Sequence, residues 1–226
     1  ARGTAGRPIL ESQNRVKYML DRGFNMPIWR VTADSLGTYD GVTLFRSKLL
    51  LPFGYCYSKY IKESVFDNLS VTQKDFVSLQ ACVVADDNMA AVKGMEEFRL
   101  SDTIQPQAFN LDVYAQKIAE LGKESMTTEQ MTDTRIAGKV TTTAPRIMYL
   151  SLPYDGGWTL KVDSKETDKQ IVFAGMTGVS LPAGTHAIEL NYHIRYLTKG
   201  WMMTIAGLVA CAGLWVVTRR RQQLTA

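Results

Sequence analysis

The sequence predicts an α+β fold: a mixed α/β N-terminal region, an antiparallel and jelly-roll-like β-sandwich, and one C-terminal transmembrane helix. Runs of alternating apolar and polar residues separated by turn residues predict the sandwich over about residues 125–195. Two stretches with capping residues and apolar faces predict helices, and a long uncharged run near the end predicts the membrane span. The expected divisions are 1–100 for the mixed region, 101–198 for a helix and the sandwich, 199–218 for the transmembrane helix and 219–226 for a cytoplasmic tail.

The strand predictions depend mainly on the alternation of apolar and polar residues, which repeats every two residues in a strand with one buried face. Residues Ala187–Ile194 form the clearest case, because Ile188, Leu190, Tyr192 and Ile194 alternate with polar residues. A turn is expected at 181–185, where Pro182 and Gly184 stand. Further strands are predicted at Arg135–Thr143, Ile147–Leu152 and Thr159–Asp163, and, around turns at 21–23 and 39–41, at Arg15–Leu20, Ile28–Thr32 and Val42–Arg46.

Two helices are predicted from their caps. Asn110 can cap a helix that runs to Glu120 or Leu121 and stops at Gly122. Thr72 can cap a second helix, in which Phe76 and Leu79 are apolar.

Net charge excludes one class of partner. The chain of 226 residues has a net charge of +4. Lys199 and the run Arg219–Arg221 supply four positive charges and no Asp or Glu follows residue 198, so residues 1–198 contain 22 basic and 22 acidic residues. A domain without a basic excess is not expected to bind a phosphate backbone, and no nucleic-acid partner is predicted.

The run Trp201–Val217 carries no charge over 17 residues. At about 1.5 Å per residue it spans about 25 Å, slightly less than the roughly 30 Å hydrocarbon core, and its flanking residues can extend it. A buried helix of a soluble protein is the alternative, but a helix that is apolar on all faces and followed by Arg219–Arg221 favours the membrane.

The arginine run also predicts orientation, because basic residues remain on the cytoplasmic side. Residues 1–198 are therefore expected outside the cell membrane and the C-terminus inside. The chain begins at Ala1 without an initiating Met or an apolar signal core, so we expect a segment of a longer protein with upstream transmembrane helices. A free-standing, tail-anchored cytosolic protein is the weaker alternative.

No catalytic centre, metal site or cofactor is predicted from the residues. The two histidines, His186 and His193, have no nearby Cys in the sequence, and no phosphate-binding Gly-rich loop or nucleophile elbow is present. The acidic pairs at 86–87 and 96–97 are most simply solvated. Cys56 and Cys82 could pair or remain free thiols, and the sequence leaves both possibilities open.

A candidate binding loop follows Pro153. Tyr154, Asp155 and Trp158 surround the pair Gly156-Gly157 at the expected mouth of the sandwich. Aromatic faces stack on sugar rings and carboxylates accept hydrogen bonds from hydroxyls, so these three residues are predicted to contact glycan. In the other interpretation, which the sequence favours, the tryptophan closes the end of the sandwich and the glycines only make the turn.

The stretch Ile147–Tyr192 resembles the C-terminal part of the YfhO-like bacterial membrane proteins. The resemblance rests on SLPYDGGW (151–158), KVDSK (161–165) and LPAGTHAIELNY (181–192), with weaker matches at VKYML (16–20), LPFGY (51–55) and RIAGKV (135–140). The family usually has Gly where this chain has Ser164, which raises a question about the geometry of that hairpin.

The resemblance implies a polytopic protein of the lipid-linked glycosyltransferase type, which adds sugars to cell-envelope polymers on the outer face of the membrane. The catalytic acids that it implies lie in loops between early membrane helices, so no catalytic residue is carried over to this chain. The leading hypothesis is an extracytoplasmic domain that positions or binds a glycan acceptor. The competing hypothesis is a non-catalytic structural or interaction module that braces a membrane protein. Expected partners are the lipid bilayer, upstream transmembrane helices of the same protein and a cell-envelope glycan.

Overall fold

A computed structural model describes residues 6–23, 27–100 and 110–224, and within them the fold is α+β, as predicted. The helices are α1 Pro8–Gln13, α2 Pro27–Thr32, α3 Glu63–Asp67, α4 Val71–Ser78, α5 Leu111–Lys123 and α6 Leu197–Leu224, with a 3-10 turn at Met89–Val92. The strands are β1 Tyr18–Asp21, β2 Ala33–Tyr39, β3 Val42–Ser47, β4 Gly54–Tyr57, β5 Lys59–Lys62, β6 Cys82–Val84, β7 Glu96–Glu97, β8 Thr127–Met131, β9 Arg135–Thr142, β10 Arg146–Pro153, β11 Trp158–Val162, β12 Lys165–Glu166, β13 Gln170–Val172, β14 Met176–Leu181 and β15 Gly184–Tyr192.

A small antiparallel sheet in the order β1-β3-β2 lies near the N-terminus. The predicted turn between β2 and β3 is confirmed, with both Asp40 and Gly41 in the left-handed region that two-residue hairpins require. The predicted strand at Ile28–Thr32 is wrong, because these residues lie in α2. Pro27 has the fixed φ that suits a first helical residue, and Trp29 of this helix packs into a small core with Met19.

Two larger sheets pack face to face and form the predicted sandwich. One has seven strands in the order β4-β10-β14-β13-β6-β5-β7, and the other has five in the order β12-β11-β15-β9-β8. Their shared core consists mainly of apolar side chains from facing strands, including Met148, Leu150 and Val179 on one side and Ile136, Leu160, Ile188 and Leu190 on the other.

The seven-stranded sheet differs from the expectation of a purely antiparallel sandwich. Strand β5 pairs in parallel with both β6 and β7, so this sheet is mixed. It also combines β4–β7 with β10, β13 and β14, which lie on either side of residue 100 in the sequence. The sheet therefore crosses the predicted division at residue 100, and that division remains a prediction.

The predicted cap of helix α5 is confirmed. The Asn110 side chain accepts hydrogen bonds from the amides of Asp112 and Val113, and the helix continues past Gly122 to Lys123. The predicted cap of α4 is displaced by two residues. Ser70, not Thr72, caps this helix, because Gln73 stands three residues after Ser70 and completes a reciprocal capping box.

Strand β11 continues into β12 through a two-residue hairpin turn at 163–164. The hairpin therefore forms although this chain has Ser164 where the family usually has Gly. Asp163 and Ser164 have φ values of 51° and 67°, which place both residues in the left-handed region. The Asp163 carboxylate accepts hydrogen bonds from the Ala187 amide and binds the His186 ring at 2.8 Å. These contacts hold the hairpin in a conformation that glycine adopts more easily.

Helix α6 confirms the predicted membrane helix. Its segment Leu197–Trp215 is long and apolar enough to cross a membrane, with a mean hydropathy of 1.4, and no part of it is buried. The alternative of a buried helix in a soluble protein is therefore wrong. The helix begins two residues before the predicted start at 199 and continues through the arginine run.

Candidate functional site

The strand directions define two ends of the sandwich. Strand β15 runs from Gly184 to Tyr192, and the linker 193–196 then joins it to α6. We call the end that contains Tyr192 and Pro153 the membrane-proximal end, and the end that contains Gly184 and Arg146 the membrane-distal end. Eight steps of about 3.3 Å along β15 separate the two ends by about 26 Å.

The loop predicted to contact glycan lies at the membrane-proximal end and is tightly bonded. The Tyr154 amide donates to the Gly175 carbonyl at 2.8 Å. The Asp155 carboxylate accepts from the Gly157 amide at 2.6 Å, and the Trp158 amide donates to the Asp155 carbonyl at 3.2 Å. The carboxylate of Asp155 thus helps to close the turn.

The two aromatic side chains of the loop differ in exposure. Trp158 is half-buried, packs against the sandwich core and has its ring 5.0 Å from the ring of Tyr192, its partner in the register of β11 and β15. Tyr154 is 40% exposed, and the ammonium group of Lys169 lies 5.0 Å from its ring centroid. Of the three predicted residues, Tyr154 presents the most accessible ring, and glycan contact by the loop stays a prediction.

The glycine pair of the loop lies directly against the linker to the membrane helix. The Gly157 carbonyl accepts a hydrogen bond from the His193 amide at 2.9 Å. A Cβ atom at Gly157 would lie 2.6 Å from the Tyr192 ring, and the Arg195 guanidinium occupies the place that a Cβ at Gly156 would take. The sequence indicated only a turn at these glycines, whereas they also permit a close approach of the linker. Consecutive glycines beside a strand were the available signal for such an approach.

Lys169 supports the loop from the segment between β12 and β13. Its ammonium group donates to the carbonyls of Asp155, at 2.6 Å, and Trp158. Burial lowers the pKa of Lys169, and the nearby Arg195 guanidinium lowers it further, although Asp155 acts in the opposite direction. The loop, the linker and this lysine therefore form one connected unit.

A pocket of about 370 Å³ adjoins this unit on the outer face of the seven-stranded sheet. Its floor contains Phe66, Tyr149 and Phe173, and we call it the aromatic pocket. The Phe173 ring lies 5.6 Å from that of Tyr149 and 6.3 Å from that of Phe66. Because the turn 173–175 also receives the Tyr154 amide, the pocket lies next to the predicted loop.

The rim of the aromatic pocket is polar. Two ion pairs cross it, between Arg7 and Asp75 and, at 3.6 Å, between Lys74 and Asp67. The remaining polar side chains at the rim include Gln13, Asn14, Glu63 and Ser78. Carboxylates, amides and ammonium groups around aromatic rings are suited to a ligand with both apolar faces and hydroxyl groups.

The pocket residue Phe173 has an unusual backbone. Phe173 and Ala174 have φ values of 47° and 53°, a region that bulky residues adopt at a cost of about 1–3 kcal/mol each. The turn is held by hydrogen bonds from the Phe173 amide to the Val83 carbonyl and from the Gly175 amide to the Val172 carbonyl. Sequence reasoning did not identify this turn, because its conformation depends on pairing with β6.

A larger cleft of about 790 Å³ lies at the membrane-distal end, beside α5. Its lining includes Lys117, Lys123 and Glu120 of α5, together with Glu124 and Arg146. Glu124 accepts from the Arg146 guanidinium at 2.5 Å and from the Thr143 amide and hydroxyl. Burial alone would raise the pKa of Glu124, but these hydrogen bonds outweigh it and lower the pKa.

Two of the three cysteines lie buried in strands β4 and β6. Cys56 and Cys82 are free and buried; burial raises the pKa of Cys56 to about 12 and also raises that of Cys82. Such thiols remain protonated and are weak nucleophiles. Within the described ranges, no group of three or more His, Cys, Asp or Glu side chains is placed to hold a metal ion.

The two acidic pairs also have partners. Asp86 accepts from the Ser64 hydroxyl and amide, which lower its pKa. Glu96 and Glu97 pair with Lys59 and Lys62, at 2.9 and 3.7 Å. These contacts fit a structural role for the pairs.

Comparison with known proteins gives a family match over part of the chain. Residues 99–204 match the family model described as bacterial membrane protein YfhO. No curated protein and no solved structure matches the chain. The matched range contains the three C-terminal motifs, the predicted loop and the first turns of α6. Together with the exposed apolar helix, the match supports a location in the membrane, and over residues 99–204 it confirms the predicted resemblance to the YfhO family of bacterial membrane proteins.

Proposed function

We propose that this chain forms the extracytoplasmic domain of a polytopic, glycosyltransferase-like membrane protein and binds a glycan acceptor of the cell envelope in the aromatic pocket. The observation that carries the proposal is the aromatic floor with a polar rim at the membrane-proximal end. The apolar face of a sugar ring packs on an aromatic face, while its hydroxyls bond to rim side chains. The volume of about 370 Å³ falls in the range of small-ligand sites.

The predicted loop extends the proposed site. The loop adjoins the pocket, since the Tyr154 amide bonds to the Gly175 carbonyl in the turn that carries Phe173. Asp155 and Trp158 contribute by holding this part of the loop in place, through the Gly157 amide and the Tyr192 ring. A glycan in the pocket would be held near the outer membrane surface, where membrane-embedded catalytic loops could reach it.

Glycan binding can be measured on the chain reconstituted in lipid nanodiscs, with fragments of cell-envelope polymers as ligands. Phe66→Leu removes a ring from the floor, and Glu63→Gln removes a charged acceptor from the rim. Glu63→Gln replaces a hydrogen bond to a charged acceptor with one to a neutral acceptor, a difference of about 1–1.5 kcal/mol that should weaken binding about 5- to 12-fold. Loss of the aromatic contact in Phe66→Leu should weaken binding about 2- to 12-fold, from about 0.5–1.5 kcal/mol. Phe45→Leu in β3 and Glu166→Gln in β12 are matched controls, because neither residue lines the pocket.

Wild-type binding that is weakened by the pocket variants and kept by the controls would support the proposal. Absence of binding to any envelope fragment, or equal weakening in pocket and control variants with unchanged melting temperatures, would refute it.

The contact between the loop and the linker favours a second candidate function, a non-catalytic module that braces the membrane domain. The bond between Gly157 and His193 fixes the sandwich to the start of α6. A brace would require the linker contact but not the pocket. Gly157→Ala would then impair assembly of the longer protein, while Phe66→Leu would leave it unchanged.

The proposed orientation has a separate test in intact cells. The arginines at 219–221 should remain cytoplasmic, so a tag after Ala226 should be shielded from added protease while residues 1–198 are cleaved. An accessible tail with a protected sandwich would reverse the orientation.

A further inference from the structure

The position of the linker limits how far the sandwich can lie from the bilayer. The 19 residues Leu197–Trp215 span about 28 Å, close to the roughly 30 Å hydrocarbon core, so Leu197 lies near its boundary. His193 precedes Leu197 by four residues, which reach at most about 14 Å when extended. Because the His193 amide bonds to the Gly157 carbonyl at 2.9 Å, Gly157 lies within about 17 Å of the hydrocarbon. The headgroup layer extends about 5–8 Å beyond the hydrocarbon, so Gly157 lies at most about 10 Å above it.

Basic side chains are concentrated at this level. Arg195 is exposed and precedes Leu197 by two residues, and Lys199 lies in the first turn of α6 with its ammonium 5.4 Å from the Tyr196 ring. No Asp or Glu occurs after Glu189 in the sequence. Lys169 adds a third cation, held against the loop by two carbonyl groups. Two carbonyl contacts leave one of its three N–H groups for another acceptor.

Exposed aromatic and aliphatic side chains accompany these cations. Tyr196 is 70% exposed and Ile194 is 62% exposed, and Trp201 follows on the same helix as another exposed ring. Tyrosine and tryptophan are enriched at the headgroup level, where one part of the ring is apolar and the other is hydrated. The long stems of Lys and Arg can also lie along apolar surface while their charges remain in water.

Two acidic residues lie beside Lys169, namely Asp168, which precedes it in the chain and is exposed, and Asp155 of the loop. One carboxylate oxygen of Asp155 already accepts the Gly157 amide. The segment 190–199 itself contributes two positive charges and no negative charge. The charge of this surface is therefore complementary to lipid phosphate groups.

We propose that Lys169, Arg195 and Lys199, with the exposed rings of Tyr154 and Tyr196, form a surface that docks the membrane-proximal end of the sandwich on anionic phospholipid headgroups of the leaflet that α6 enters. Docking would keep the sandwich against the bilayer instead of letting it swing about the linker. The surface does not share its cations with the aromatic pocket, and the inference does not depend on glycan binding or on which side of the membrane the sandwich lies.

The test uses the whole chain in nanodiscs of phosphatidylcholine alone or of phosphatidylcholine with one quarter phosphatidylglycerol. Hydrogen exchange is followed in peptides that contain 154–157 and 192–196. Each basic residue near an anionic surface contributes about 1 kcal/mol to membrane association, which corresponds to about a fivefold increase in the association constant. Anionic lipid should therefore slow exchange at these amides by at least fivefold, and 1 M salt should reverse the slowing.

The triple variant Lys169→Gln, Arg195→Gln and Lys199→Gln should lose this protection. The matched triple variant Lys93→Gln, Lys161→Gln and Lys165→Gln removes the same charge from other parts of the surface and should keep it. Because a folding defect would also expose the loop, exchange in the core strands β10 and β15 must stay unchanged in both variants. Equal exchange in the two lipid compositions, or equal loss in both triple variants, would overturn the docking surface. Glycan binding by the pocket could persist in either case.

Discussion

Replacing Gly157 with alanine tests whether the loop at the membrane-proximal end is packed against the linker. An added Cβ would lie 2.6 Å from the Tyr192 ring, 2.8 Å from the His193 carbonyl and 2.9 Å from the Asp155 carboxylate. The His193 carbonyl belongs to the backbone and the ring is packed against Trp158, so neither can move without disturbing the sheet end. Overpacking of this kind costs about 1–3 kcal/mol in the free energy of unfolding.

Gly156→Ala provides a matched control in the adjacent residue. The three atoms nearest its added Cβ would all belong to the guanidinium of Arg195, at the end of a flexible side chain that can rotate away. Neither glycine has a left-handed φ, so both substitutions reduce the entropy of the unfolded chain in the same way. The difference between the two variants therefore isolates the packing against Tyr192 and His193.

Differential scanning calorimetry of the chain in nanodiscs gives the comparison. For a domain of this size, 1 kcal/mol shifts the melting temperature by about 2–4 °C, so Gly157→Ala should melt about 2–12 °C below Gly156→Ala. Equal melting temperatures would show that the linker does not pack on the loop. The reasoning that connects the loop to the membrane surface would then lose its geometric basis.

Three further predictions concern the stability of other elements. Ser164→Gly should stabilise the β11–β12 hairpin by about 0.5–1 kcal/mol, because glycine adopts the left-handed conformation without steric cost, and denaturant unfolding would detect the gain. Ser70→Ala should cost about 1 kcal/mol by removing the cap of α4, whereas Thr72→Ala at the wrongly predicted cap should have little effect in the same assay. Burial raises the pKa of Glu11 above its usual 4.5, although hydrogen bonds from Trp29 and neighbouring amides act in the opposite direction. The free energy of unfolding should therefore fall as pH rises from 4.5 through the raised pKa, because the folded state holds this proton more tightly than the unfolded state. Glu11→Gln should therefore be progressively more stable than the wild type over that interval and by a constant amount above it, and parallel pH profiles for the two proteins would contradict the assignment.

The elements predicted most accurately are those whose residues contain their own signal. The alternation in Ala187–Ile194 and the cap at Asn110 depend on local geometry, and both elements form with boundaries within a few residues of the prediction. The apolar run at the end likewise identifies the membrane helix, because length and hydropathy alone satisfy the requirement for crossing a bilayer. The family resemblance came from motifs in the same region, and the match over residues 99–204 confirms it.

Short segments near the N-terminus were less predictable. The six residues from Pro27 to Thr32 form a helix although their β-branched content favours a strand, because packing of Trp29 decides between two weak preferences. The cap of α4 shows a similar limit, since two hydroxyl residues lie close together and only the position of Gln73 selects Ser70.

What the sequence by itself determined is therefore the fold class, the sandwich strands, the membrane helix and the resemblance to the YfhO family over residues 99–204. Only the tertiary structure decided that strands from both sides of residue 100 share one sheet, since strand pairing joins residues far apart in the chain. It also decided what lies beside the predicted loop. The Gly175 carbonyl in the turn between β13 and β14 accepts the Tyr154 amide, and the His193 amide after β15 donates to the Gly157 carbonyl. No local pattern encodes such neighbours, because they come together through the packing and register of whole strands.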